Sequence, residues 1–260
     1  MNILDQLADH ARARVAAAKQ AVPYERLREQ AFALPKGDFR FERALRKQEL
    51  SFICECKKAS PSKGLIVGDF PYLRIAEEYE AAGADAISVL TEPKWFLGSG
   101  DYLREIAERV SIPCLRKDFT VDPYMICEAK LLGAAAVLLI CSILGPEELR
   151  EYHALCEELG LSALVEAHDE DEIRMALDAG ARIIGVNNRN LRDFTVDTEN
   201  SRRLRALIPE GVLFVSESGV KDAADVAALR EIGADAVLVG EALMRAKDKR
   251  QMLKQLKGEA

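Results

Sequence analysis

One pattern recurs four times along this chain: a helix-like stretch, then Gly-Ala, then a short apolar run. The copies are AEEYEAAGADAISVL, CEAKLLGAAAVLLI, IRMALDAGARIIGVN and VAALREIGADAVLVG, and they share Gly83, Gly133, Gly180 and Gly233. A glycine that tolerates left-handed backbone angles is a common helix stop. An apolar run without alternation suits a parallel strand covered on both faces by helices. LCEELGLSALVEA, around Gly160, is a looser fifth copy. Filling the gaps gives eight strand candidates, at 51–57, 84–90, 112–117, 136–141, 162–167, 182–187, 212–217 and 236–240. Amphipathic helical patterns lie between them, as in Pro71 to Ala82 and Pro146 to Leu159. Such alternation implies βα units joined by right-handed crossovers. Eight units predict an α/β fold of the (β/α)8 TIM-barrel type. An open doubly wound sheet would place a glycine-rich fingerprint after its first strand. Here that strand runs instead into KKASPSKG.

Residues 1–50 precede the repeats. Leu4, Leu7, Ala8, Ala11, Val15 and Ala18 recur at helical spacing, and Pro23 ends the pattern. Two shorter helices follow, around Tyr24 to Ala31 and Phe41 to Lys47. The expectation is one barrel domain over 1–260 with an N-terminal helical extension. That extension either caps one barrel end or adds a wall to the site.

Composition narrows the function classes. Apolar residues are 49% of the chain, enough for a core, and the formal net charge is −7. Net acidity argues against nucleic acid or an anionic lipid surface as partner. The longest uncharged stretch, Leu131 to Pro146, is broken by Gly133, Ser142 and Gly145 and falls short of the ~20 residues of a membrane span. The start, MNILDQLADHARAR, carries charges where a signal peptide is apolar. Cys54, Cys56, Cys114, Cys127, Cys141 and Cys156 show no CxxC pairing and sit mostly in apolar runs. They read as buried thiols of a cytoplasmic protein. His10, His153 and His168 have no ligand spacing, so no metal is expected. His153 reads as part of a surface helix and His168 as a loop or capping residue. A monomer or weak homo-oligomer is expected.

The ends of the strand candidates carry charge. They read Glu55-Cys56-Lys57, Lys117-Asp118-Phe119, Glu166-Ala167-His168, Asn187-Asn188-Arg189 and Glu217-Ser218-Gly219. In a barrel these ends meet at the catalytic face. By strand alternation Glu55 and Lys57 share one face, and Cys54 and Cys56 the other. With the cysteines toward the helices, both charges enter the barrel, where burial is costly unless they are paired. Two lysines, two glutamates and an asparagine at one mouth point to catalysis. Ser218-Gly219 and Gly240-Glu241 follow the seventh and eighth strands, a common place for a phosphate held by backbone N–H groups. Glu241 would offer its N–H and turn its carboxylate away. The connection from Lys58 to Phe70, with Ser60, Pro61, Ser62, Lys63 and Gly64, reads as a mobile basic lid.

At these residues the chain resembles the indole-3-glycerol phosphate synthase family. The motifs are ECKKASPSKG at 55–64, LRKDF at 115–119, LVEAH at 164–168, NNRNL at 187–191, SESGV at 216–220 and VGEALM at 239–244. The resemblance covers the whole chain. It implies ring closure, decarboxylation and dehydration of 1-(2-carboxyphenylamino)-1-deoxyribulose 5-phosphate, without an external cofactor. It implies Lys117 as general acid, Glu166 as general base or cation stabiliser, and Lys57 as a substrate contact or dehydration acid. Glu55 and Asn187 would position these groups, and Arg189 would brace the mouth through ion pairs. Ser60, Ser218, Gly219, Gly240 and Glu241 would contact substrate or phosphate. Phe96, Phe119, Leu138 and Leu191 would line an apolar anthranilate pocket. A non-catalytic barrel sensing a phosphorylated metabolite would not need Lys117 and Glu166. A phosphoribosyl isomerase of the same fold would use a Cys and Asp pair, and Cys56 is expected to face outward.

Overall fold

The computed structural model describes residues 2–190 and 195–259. Its strands are β1 (Ser51–Cys56), β2 (Ala59–Ser60), β3 (Gly64–Leu65), β4 (Ala86–Leu90), β5 (Cys114–Lys117), β6 (Ala136–Ile140), β7 (Ser162–Ala167), β8 (Ile183–Asn187), β9 (Leu213–Glu217) and β10 (Ala236–Val239). All but β2 and β3 form a closed barrel in the order β1-β4-β5-β6-β7-β8-β9-β10. Every neighbouring pair is parallel, and β1 closes the ring with Ser51 opposite Ala236 and Ile53 opposite Ala86. This is the (β/α)8 barrel expected from the repeats.

The repeat has a backbone explanation. Gly83, Gly133, Gly180 and Gly233 have φ of 83°, 82°, 84° and 74°. In each copy the glycine N–H returns to a carbonyl three residues back, and the next alanine N–H to one five back. That double bond closes the helix's last turn. It also explains why β4 starts at Ala86 and not at residue 84: the Ala84 N–H is spent on Tyr79. In two copies the following aspartate caps a neighbouring strand. Asp85 accepts from the Phe52 N–H at 2.8 Å, and Asp235 from that of Phe214 at 2.7 Å.

All six cysteines are free and buried. Cys54 and Cys56 lie on the outer face of β1, where the buried Tyr79 hydroxyl donates to the Glu55 carbonyl at 3.3 Å.

The extension serves both ends of the barrel. Its helices are Ile3–Ala21, Tyr24–Ala33 and Arg40–Leu45, with Pro23 at the first break. The first lies over the mouth: Arg14 pairs with Asp118 at 2.6 Å, Lys19 with Asp122 at 2.6 Å, and His10 faces Glu92 at 3.2 Å. The chain then descends the outside. The Gly37 N–H donates to the Leu159 carbonyl at 3.0 Å, and that of Glu42 to Ser162 Oγ at 3.2 Å, where β7 begins. His153 does not lie on the surface as expected. It is buried, and its helix is tied to the extension through Glu157, Arg182 and Glu42. Burial, the largest effect, holds its pKa below the ordinary value. No helix among the described residues is long and apolar enough to cross a membrane.

Candidate active site

Alternation along the strands turns Glu55, Lys117, Glu166 and Glu217 into the barrel at its upper end, and register sets their heights. Leu90 lies opposite Lys117, Ile140 opposite Glu166, and Asn187 opposite Glu217. Lys117 Nζ lies 3.3 Å from Glu166 Oε2 and 3.5 Å from Glu217 Oε2. Lys57 Nζ donates to Glu55 Oε1 in close contact. The Asn187 side chain also favours the ionised form of Glu166.

Glu217 is the site residue that the strand-end reading left without a role. Its place at the end of β9, on the same strand alternation as Val215, is the signal in the sequence that turns it into the barrel. Its carboxylate needs the bare backbone of Gly185, since a Cβ there would collide with Oε1 and reach Cδ at 3.2 Å. Oε1 is buried with no hydrogen-bond partner among the described residues.

The three charges divide unequally. Burial works against charge on Lys117, but Glu166, Glu217 and Glu55 outweigh it, so the ammonium stays protonated. Burial likewise opposes charge on Glu166, yet Lys117, His168 and Asn187 hold its pKa below the ordinary carboxylate value. For Glu217 burial wins. With repulsion from Glu166 and Glu55 added, its pKa is pushed up to about 8 despite Lys117. It is therefore a neutral acid near pH 7.

A stability consequence follows from that sign. Below the ordinary value of 4.5 both folded and unfolded states hold this proton. As pH rises toward about 8, the unfolded chain releases it and the folded chain does not, so stability falls over that window. Glu217→Gln removes this loss. Its melting temperature relative to wild type should rise between pH 5 and pH 8.5, and a gap independent of pH would contradict the assignment.

A cavity of about 830 Å³ opens above these groups. Phe96, Phe119 and Leu138 form an apolar side, with the two phenyl rings 6.0 Å apart. Each phenylalanine is set by a buried carboxylate. Glu92 accepts the backbone N–H groups of Lys94, Trp95 and Phe96 at 2.7–3.0 Å. Asp118 accepts that of Phe119 at 2.8 Å. Ile3 and Leu7 complete the wall from the extension.

Opposite lie Ser218, Gly219, Gly240 and Glu241. Ser218 and Gly219 have φ of 66° and 101°, and a Cβ on Gly219 would meet Thr198 Cγ2 at 2.7 Å. Gly240 precedes the short helix Glu241–Arg245, and a Cβ there would strike the Glu55 carboxylate. The Glu241 carboxylate is held by Arg245 at 3.0 Å and Lys63 at 3.5 Å. Lys63 lies in the turn between β2 and β3, so the basic loop is a small hairpin tied across the mouth, and Ser60 on β2 faces the cavity. Arg189 stands on the rim, its N–H donating to Asn187 Oδ1 at 3.0 Å. Leu191 lies outside the described residues.

His168 lies in the bend after β7, as a loop residue, and its ring reaches the charged cluster. Its Nε2 is buried 3.4 Å from Glu166 Oε1, and its Nδ1 lies 3.0 Å from Glu172 Oε2. Burial disfavours its charge, but Glu172, Glu166 and Glu217 together raise its pKa above the ordinary value.

The chain is similar to known proteins over nearly its whole length. The profile described as Indole-3-glycerol phosphate synthase matches residues 4–256. The indole-3-glycerol phosphate synthase of Ruminiclostridium cellulolyticum is 56% identical over 259 residues, which is 99% of this chain and 100% of that protein. That of Leuconostoc mesenteroides subsp. mesenteroides is 56% identical over 224 residues, covering 85% of this chain and 86% of its own length. Among solved structures, 3-hexulose-6-phosphate synthase from Salmonella typhimurium superposes with a TM-score of 0.66 at 14% identity, over 80% of this chain and 97% of that one. At that identity the likeness speaks for the fold alone. From the profile match and the two close relatives, the chain belongs to the indole-3-glycerol phosphate synthase family.

Proposed function

We propose that the chain converts 1-(2-carboxyphenylamino)-1-deoxyribulose 5-phosphate to indole-3-glycerol phosphate, CO2 and water, a step of tryptophan biosynthesis. The observation that carries this reading is a protonated Lys117 held between Glu166 and Glu217 at the floor of a half-apolar cavity. Ring closure needs a proton on the ribulose carbonyl oxygen as the aromatic carbon bearing the carboxylate attacks it. Lys117 supplies that proton, and ionised Glu166 stabilises the cation that develops. Loss of CO2 restores aromaticity with the ring nitrogen as electron sink. Dehydration then needs an acid for the hydroxyl and a base for the neighbouring CH2. The contact between Lys57 and Glu55 supports this pair in those two roles. Glu55 hands the carbon's proton back to Lys57, so the pair resets itself.

The phosphate belongs with the N–H groups of Ser218, Gly219, Gly240 and Glu241. The anthranilate ring belongs against Phe96, Phe119 and Leu138, while Asn187, Arg189 and Ser60 orient the substrate. The extension's contacts at both barrel ends support one working domain over 1–260. The six buried, unpaired thiols suit a reducing compartment such as the cytoplasm.

Incubation with the carboxyphenylamino substrate should generate indole fluorescence. Inorganic phosphate should raise KM and leave kcat unchanged. No indole signal would overturn the reading. Phosphate found in soaked crystals only at the Ser60 to Lys63 loop would overturn its phosphate site.

A further inference from the structure

The glycine-lined side of the cavity is held from behind by a side chain that points away from it. Asn188 follows Asn187 at the end of β8, and alternation turns it out of the barrel, toward the helix Glu199–Arg205. It is buried, and both ends of its amide are paired. Nδ2 donates to Ser216 Oγ at 3.1 Å and to the Ser218 carbonyl at 3.0 Å. Oδ1 accepts from the Ser201 backbone N–H at 3.0 Å and from Ser201 Oγ at 2.9 Å. The partners fix which end is which, because a backbone N–H can only donate and a carbonyl can only accept. Ser201 gives its hydroxyl hydrogen to Oδ1, so Ser216 donates to Ser201 Oγ across 2.9 Å. The bonds close a ring from Asn188 through Ser216 and Ser201, and the bond to the Ser218 carbonyl leaves that ring toward the site.

We propose that Asn188 is a positioning residue that aims the Gly219 N–H at the substrate's phosphate, by holding the Ser218 carbonyl on the far side of the turn. The Ser218 carbonyl and the Gly219 N–H belong to one trans peptide, so they point in opposite directions. A second cavity, of about 50 Å³, lies behind the turn and is lined by Asn188 and Ser216, while Ser218 and Gly219 line the large one in front. With the carbonyl held back, the N–H is turned forward. Ser218 needs this hold. Its φ of 66° is left-handed, a conformation that a residue with a Cβ keeps only where its surroundings impose it.

The main chain of Asn188 anchors the same turn from both flanks. Its N–H donates to the Glu217 carbonyl at 2.9 Å, just before Ser218. Its carbonyl accepts the Asp197 N–H at 2.9 Å, just before Thr198. Thr198 packs so closely on Gly219 that a Cβ there would meet its Cγ2 at 2.7 Å. Asn188 thus holds the turn and also the segment that presses on it. It touches no reacting atom, and its effect reaches the substrate through one peptide plane.

This inference rests on the phosphate lying at Ser218 and Gly219, and the test separates the two. Wild-type crystals soaked in inorganic phosphate locate the anion first, and an anion away from Gly219 defeats that reading and the proposal with it. Asn188→Ala is then compared with wild type. KM for the substrate and the inhibition constant of inorganic phosphate should both rise by about tenfold, the scale of one well-aimed bond to a charged group. The kcat should stay within about twofold. The substrate without its phosphate, 1-(2-carboxyphenylamino)-1-deoxyribulose, should compete equally well against both proteins. Ser201→Ala breaks the same buried ring but leaves the Ser218 carbonyl its donor, so it should lower the melting temperature without weakening phosphate. Adding Ser218→Gly to Asn188→Ala should recover part of the lost phosphate affinity, since glycine keeps the left-handed turn unaided. Asn188→Ser retains a hydroxyl for the ring and is too short for the Ser218 carbonyl, so it serves if Asn188→Ala does not fold. With the anion seated at Gly219, equal weakening of phosphate and of the phosphate-free competitor, or no weakening of either, would overturn the proposal alone.

Discussion

Lys117→Ala should lose at least ~100-fold in kcat, the low end of what a positioned general acid contributes. CO2 release and indole fluorescence should vanish together, because ring closure precedes both. KM should change far less, since the glycine-lined side and the phenyl rings, proposed to bind the rest of the substrate, are untouched. The fold should survive. Removing the ammonium leaves Glu166 and Glu217 together, but Glu217 already holds a proton near pH 7, so only one buried negative charge remains. His168, 3.4 Å from Glu166, still faces that charge. Circular dichroism and a thermal melt establish folding, and single-turnover fluorescence reads the chemistry. A folded Lys117→Ala protein with near-normal turnover would reject the assignment and move the acid role to Lys57.

Lys57→Ala should fail at a later point. CO2 should leave at close to the wild-type rate in the first turnover, while indole fluorescence lags by about 100-fold, because the hydroxyl has lost its proton donor. The accumulating species has the closed ring and the hydroxyl but no indole chromophore. Glu55, deprived of its ammonium, remains beside Gly240 and carries its own charge at greater cost. Equal slowing of CO2 release and fluorescence would show that Lys57 acts before decarboxylation. Together the two variants divide the reaction at the loss of CO2.

The barrel was readable because its cause is local. Each Gly-Ala pair closes a helix with two backbone bonds, and that chemistry leaves a mark in adjacent letters. The inward turn of Glu55 and Lys57 was readable for the same reason, through the two-residue period of a strand. Glu217 was harder. Its neutrality depends on burial and on repulsion from Glu166 and Glu55, against the pull of Lys117, all from other strands, and its space depends on Gly185, none of which is near it in sequence. His168 reads as a loop or capping residue because it follows the strand end at Glu166 just before a helix start. Its contact with Glu166, from the same strand end, appears only when the chain bends there. His153 was misplaced because its burial depends on packing with segments distant in sequence, among them the turn at Gly180. The double duty of the extension, a wall above and a brace below, also depends on contacts that the helical pattern of residues 1–50 does not encode.

Attachments to a barrel are usually interchangeable between lineages, since they dock on loops that vary freely. Here the docking point of the first helix is Asp118, one peptide bond from Lys117. Arg14 grips Asp118 at 2.6 Å, and Thr91 donates to it at 2.6 Å from across the strand end. Without the helix this carboxylate would sit in the barrel wall with Arg116 at 3.7 Å as its nearest cation. Drift in the first fourteen residues is therefore felt at the neighbouring lysine. Without Arg14 the buried Asp118 would be left with Thr91, the Phe119 N–H and Arg116 at 3.7 Å, one peptide bond from Lys117.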